Sequence, residues 1–196
     1  DHPGYADLDQ ILKQPVLKRE LFPYPVIIDK LELLQDRNNF TCRVRSSDGA
    51  EGISIGHPFI SKNSFPMFRN LCQPVFTGKD ARDLDSLIFS VVEGSVKNQG
   101  IPLCVQVATV EFAILDMLGT MAGKPAGMLI GEIHHPEIAI YLGTRLSELR
   151  RMEPEVSLDL VMQDFLETKA RAIKIRAGKG DNLGADNENA REERRN

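Results

Sequence analysis

Hydrophobic and polar positions change their period twice along the chain, and each change marks a change of structure. From Val26 the residues read Val-Ile-Ile-Asp-Lys-Leu-Glu-Leu-Leu, rich in β-branched side chains and ending in alternation, which predicts a strand. Residues 40–45 alternate again, with Phe40, Cys42 and Val44 on one face and Thr41, Arg43 and Arg45 on the other. Ser47-Asp48-Gly49 is a tight-turn signal suited to a hairpin that needs positive φ, and Gly52 to Gly56 follows as a third strand. Consecutive strands on short links predict a three-stranded antiparallel meander. The apolar spacing then lengthens to three and four. Lys62 to Cys72 reads as helical despite Pro66, and Asp80 as the N-cap of a helix carrying Leu84, Leu87, Ile88, Val91 and Val92. Ala108 to Ala122 is a longer helix stopped by Gly123 with Pro125 just beyond, and Pro125 to Ile130 adds a further turn or two. Strands first and helices after give an α+β domain.

The order then inverts. Ile138 to Leu142 is a short, nearly all-apolar segment, the pattern of a strand buried on both faces. Glu155 to Lys169 is a helix with Leu158, Val161, Met162, Phe165 and Leu166 on one side, and Ala172 to Arg176 is a second short strand. Strand, helix, strand over this length predicts a parallel pair, the opening of a β/α barrel. Between Ala177 and Asn196 only Leu183 is a large aliphatic residue, so the barrel is truncated in this chain. Three segments result: a Pro-interrupted extension at 1–25, packed on the surface and carrying Leu8, Ile11 and Leu12; the α+β domain at 26–131; and an incomplete barrel at 132–196.

Composition narrows the partners. A hydrophobic share of 42% and a charged share of 27% are those of a soluble globular protein. The net charge of -4 gives no reason to expect nucleic acid, and no apolar run approaches the roughly 18 residues of a membrane helix. Cys42, Cys72 and Cys104 are widely spaced without a CxxC pair, which points to buried, reduced thiols rather than a zinc site. The chain begins at Asp1; a cytoplasmic location is the default, and export after signal cleavage stays open.

Lys174 and Arg176 are the sharpest chemical feature. Residues two apart in a strand share a face, so Ile173 and Ile175 can pack on a surrounding helix while both cations turn to the barrel centre. They stand at the C-terminal end of a barrel strand, where such folds place catalytic groups, and a lysine whose neutral form is favoured by desolvation or a neighbouring cation can act as a general base. An edge strand with both charges in water is the structural alternative. His134-His135 invites a metal reading, but adjacent residues of an extended segment point to different sides and no partner ligand is nearby. Asn39-Phe40-Thr41 fits a glycosylation sequon, a pattern frequent by chance.

Residues 108–131 read ATVEFAILDMLGTMAGKPAGMLIG, and this segment resembles the signature of the mandelate racemase and muconate lactonizing enzyme group of the enolase superfamily. The matching positions are Ala108, Glu111, Ala113, Asp116, Gly119, Gly123, Lys124, Pro125, Leu129 and Gly131. A first barrel strand, a helix and AIKIRAG, at the place of the group's Lys-x-Lys motif, follow in the right order, and the meander with EGISIGHP resembles the N-terminal capping domain. The resemblance spans roughly residues 26 to 178.

The resemblance implies an enzyme that removes the proton α to a substrate carboxylate, with Mg²⁺ stabilising the enediolate, because so weak a carbon acid needs a metal and cations to accept the developing charge. A lyase (dehydratase, with acid sugars foremost) or an isomerase (racemase or epimerase) is implied, acting on a small carboxylate as a homo-oligomer, and inactive if the natural chain ends at residue 196. Lys174 matches the basic lysine. Arg176 replaces a second lysine and, since arginine is almost never a base, would hold the carboxylate or favour the neutral form of Lys174. The group's metal ligands are acidic residues on the third to fifth barrel strands, so none is assigned here, and the loop with Asp181 and Asp186 has no ligand spacing. Capping-domain loops select the substrate, which nominates Asp36 to Phe40 and Gly56 to Ser61, with Asn39, His57 and Phe59 as pocket residues; a surface turn with one packed phenylalanine is the alternative for His57 and Phe59. The alternative is a non-catalytic capping domain serving as a binding or assembly module.

Overall fold

The computed structural model of the chain describes residues 3–143 and 154–174. It forms two compact units, divided between His134 and His135. The first is built on β1 (Ile28–Asp36), β2 (Asn39–Ser46) and β3 (Glu51–Gly56), paired antiparallel in the order β1-β2-β3. Alternation sorts the faces as expected: Leu31, Leu33, Phe40, Cys42 and Val44 are buried. The opposite face is laced by Arg43–Glu32 (2.8 Å) and Arg45–Glu51. Both pairs are over a third exposed, so they contribute little stability. The β2–β3 turn is closed by the Gly49 N–H donating to the Ser46 carbonyl (3.0 Å), with Gly49 at φ +93°. This is the three-residue hairpin whose last loop residue is left-handed.

Six α-helices accompany the sheet, α1 (Pro3–Leu12), α2 (Pro58–Met67), α3 (Gln73–Phe76), α4 (Leu84–Gly94), α5 (Ile101–Ala122) and α6 (Ala126–Ile130), and of these α2, α3 and α5 pack on it. Two of them begin earlier than their apolar spacing predicts. α2 starts at Pro58 rather than Lys62, and α5 at Ile101 rather than Ala108. In both cases a proline in the first turn opens the helix, where its missing N–H costs nothing. Pro66 is accommodated by a break at Ser64 (φ -112°, ψ 18°) and by a π-helical turn, Phe68–Cys72. Asp80 accepts from the Arg82 N–H at the head of a 3₁₀ turn, Ala81–Asp83, that runs into α4. α5 is the central helix, burying Leu103, Val107, Val110, Ala113, Ile114, Leu115, Met117 and Leu118. It is long and apolar enough to cross a membrane, which counting uninterrupted apolar runs did not reveal. Here that surplus faces the core, with many contacts to β3 and α2.

The extension reading of residues 1–25 is corrected. Leu17 and Phe22 are buried in the main core, and the Lys18 N–H donates to the Leu129 carbonyl at 2.8 Å. Leu8, Ile11 and Leu12 do lie on the surface. Cys104 is also corrected, being exposed on α5, whereas Cys42 and Cys72 are buried. Burial pushes the Cys42 thiol up to about 12, with a further contribution from nearby Cys72, and burial pushes Cys72 to about 12 as well. Neither supplies a thiolate at neutral pH.

The signature-like segment is a packing device. Ala113 lies where β3 passes closest to α5: a Cβ on Gly52 would overlap the Ala113 carbonyl oxygen and come within 2.7 Å of Met117 Cα. One turn on, Asp116 accepts the Ile53 N–H at 2.8 Å, so a carboxylate occupies the free edge of β3. A Cβ on Gly119 would stand 2.8 Å from the Lys124 carbonyl oxygen. Gly123, at φ +60°, donates to the Gly119 and Thr120 carbonyls and ends α5 in a left-handed cap. Leu129 on α6 is fully buried.

In the second unit β4 (Tyr141–Gly143) and β5 (Ala172–Lys174) pair in parallel, with α7 (Pro154–Thr168) between them in sequence. β4 is shorter than expected, starting at Tyr141, and Ile138, Ile140 and Tyr141 are exposed rather than covered on both faces. On α7, Val161 is buried while Leu158, Met162 and Leu166 are exposed. Among the described residues only one helix and two strands are present to cover one another. Ile175, Arg176 and everything after them lie outside the described residues.

Candidate active site

Lys174 is the last described residue of β5 and pairs with Gly143 of β4. The register Tyr141↔Ala172, Leu142↔Ile173, Gly143↔Lys174 puts Leu142 and Ile173 on one face, both half-buried, and Tyr141 and Lys174 on the other, both exposed. The Lys174 Nζ stands 5.5 Å from the centroid of the Tyr141 ring. Periodicity therefore separated lysine from isoleucine correctly. Tyr141 was read only as an apolar strand residue; the signal that it shares the lysine's face lies in the parallel register, which sequence periodicity alone does not supply.

The capping-loop residues are gathered by the meander. β2 begins at Asn39 and β3 ends at Gly56, with Phe40 opposite Gly56, so Asn39 and His57 stand at the same end of the sheet. Asn39 is exposed, opposite Asp36 across a two-residue turn in which Arg37 takes φ +55°. The predicted second loop, Gly56 to Ser61, is largely the first turn of α2. His57 is its N-cap, Nδ1 accepting the Ile60 N–H at 3.2 Å, which makes Nε2 the site of the proton in the neutral ring. Phe59 is 72% exposed on that turn rather than packed.

Elsewhere in the first unit, Lys18, Glu20, Lys124, Met128 and Glu132 help line a cleft of about 520 Å³. It contains none of the candidate catalytic or pocket residues, although Lys124 and Gly131 of the signature-like segment line it. Glu111 is half-buried on α5; burial first, and the Asp85 carboxylate second, raise its carboxyl above the usual range. Among the described residues no group of three or more His, Cys, Asp or Glu side chains is placed to hold a metal ion. The described residues therefore do not themselves fit a magnesium centre.

No protein-family model and no curated protein matches the sequence. Solved structures do. A racemase from Streptomyces coelicolor A3(2) with bound magnesium is 23% identical and superimposes with a TM-score of 0.66, over 86% of this chain and 51% of its own. A mandelate racemase/muconate lactonizing protein from Paracoccus denitrificans, complexed with magnesium, is 20% identical, with a TM-score of 0.64 over 87% of this chain and 49% of its own. The chain has the mandelate racemase/muconate lactonizing fold. An enolase from Agrobacterium radiobacter bound to sodium and L-malate is also similar, at 18% identity and a TM-score of 0.54, over 60% of this chain and 31% of its own. In mandelate racemase/muconate lactonizing terms, the three-stranded sheet and its helices are the capping domain, and β4-α7-β5 is the start of the barrel. The chain spans about half the length of the first two structures.

Proposed function

We propose that the chain is the capping domain and first barrel strands of an enzyme that abstracts the proton α to a carboxylate. Lys174 is the base. The observation that supports this reading is that Lys174 lies on β5, paired with Gly143 of β4, on the face opposite the half-buried Leu142 and Ile173. The sequence expects this strand to end at Arg176, and the C-terminal ends of barrel strands are where β/α barrels put catalytic groups. As a neutral amine, Lys174 takes the α-proton: the C–H bond breaks, an N–H bond forms, and the electron pair moves into the carboxylate as an enediolate. Arg176, two residues on, is assigned to the substrate carboxylate, for which a guanidinium is the better fork. Asn39, His57 and Phe59 are assigned to substrate selection, as polar and aromatic groups at one end of the capping sheet.

Magnesium is the expected cofactor of the complete enzyme, since two of the similar structures contain it. When bound it would accept the enediolate's charge. Its ligands lie beyond the two strands described, and no step is assigned to it here. A dehydratase acting on acid sugars, or a racemase or epimerase, is the reaction type, and the similar enolase with L-malate supports a carboxylate ligand.

The test is solvent exchange. In D₂O with Mg²⁺, the full natural chain should incorporate deuterium α to the carboxylate of a turned-over 2-hydroxy acid or acid sugar, and Lys174→Ala should abolish it. Undiminished exchange in that variant removes Lys174 from the role. A second reading, a non-catalytic capping module, has one observation in its favour: among the described residues, the main core is drawn from the first unit. An intact mass of the natural protein equal to 21.9 kDa, with no exchange in the wild type, would favour it.

A further inference from the structure

We infer that Tyr141 is a positioning residue for Lys174, its ring holding the ammonium on one face of the β4–β5 pair; this rests on the proposed role of Lys174. The parallel register places residues 141, 143, 172 and 174 on that face. Gly143, directly across from Lys174, has no side chain, and a Cβ built there would meet nothing within 4 Å. Ala172 offers only a methyl group. Tyr141 is thus the one large side chain that β4 contributes beside the lysine, and the Nζ sits 5.5 Å from its centroid. An ammonium within about 6 Å of a ring face is attracted by the ring quadrupole. The lysine stem has four rotatable bonds, and a base acts only within hydrogen-bond reach of the proton it removes. A ring that restricts those rotamers keeps the nitrogen at one place on the strand end.

Because the contact is with the ring, Phe should replace Tyr at position 141 and Leu should not. The direct readout is NMR of the full chain with ¹³C,¹⁵N-labelled lysine. One lysine ε-methylene, assigned by Lys174→Arg, should be shifted upfield by ring current, should persist in Tyr141→Phe, and should return to the ordinary position in Tyr141→Leu. The wild-type spectrum alone overturns the inference if no lysine is shifted. A shift that survives Tyr141→Leu overturns it too. In the exchange assay, run on the high-pH plateau of kcat so that the lysine is neutral in every variant and gains its charge only as it takes the proton, Tyr141→Leu should lower kcat about two- to five-fold with KM unchanged, and Tyr141→Phe should match the wild type; a kcat on that plateau that does not fall in Tyr141→Leu would overturn it. A raised KM with unchanged kcat would overturn it, because the ring would then touch substrate rather than place the lysine. Absence of exchange in the wild type sinks the enzymatic reading instead, and the lysine spectra still decide whether the ring holds Lys174.

Discussion

Gly52 faces α5 at a point with no room for a methyl group. The atoms a Cβ would meet are backbone, the Ala113 carbonyl and Met117, so no side chain can rotate aside. Gly52→Ala should therefore cost about 1–3 kcal/mol or more by forcing β3 off the helix, visible as a lower denaturant midpoint; an unchanged midpoint would show that the strand shifts freely. Asp80 presents a titratable case. Burial alone would raise its carboxyl, but hydrogen bonds from the Arg82 side chain and N–H and from the Val26 N–H hold it below the usual range. A depressed carboxyl stabilises the fold above its unfolded value and loses that contribution as pH falls through the folded one. The stability gap between wild type and Asp80→Asn should thus be widest at neutral pH and narrow as pH drops through and below 3.8. Asp80→Ala should cost about 1–2 kcal/mol at neutral pH.

Among elements, α5 meets α4 where Glu111 is half-buried with Asp85 nearby. A raised carboxyl means that the ionised form is disfavoured in the folded state, a cost fully present above the folded value and gone below the ordinary 4.5. Glu111→Gln should therefore raise Tm at pH 7, and the gain should fade on acidification; a lower Tm at pH 7 would mean the carboxylate makes a contact that matters more than its desolvation. The strands were the most legible elements, because the alternation of Phe40, Cys42 and Val44 has no helical reading. The starts of α2 and α5 were less so, since the apolar spacing was picked up only at Lys62 and Ala108, some residues after Pro58 and Pro102 open the two helices. Leu17 and Phe22 were illegible for another reason: two apolar residues in a Pro-rich stretch have no period, and their burial is decided by the distant surface they meet.

For the whole molecule, the division at His134 has a direct consequence. Among the described residues, those of the main core lie between Leu17 and Leu129, so residues 1–134 should unfold as one cooperative transition when produced alone. A non-cooperative melt would show that the fragment lacks something the second unit supplies. The site was legible in proportion to its local character. The face of Lys174 follows from residues two apart, whereas Tyr141 needed a partner strand and Asn39 and His57 needed the meander's register. The seam of Gly52, Ala113, Asp116 and Gly119 touches none of the proposed chemistry. A sequence search keyed to these residues therefore detects the ability to clamp one helix against one strand. Two chains could share every letter of it and differ in substrate, in stereochemistry, or in whether they turn anything over at all.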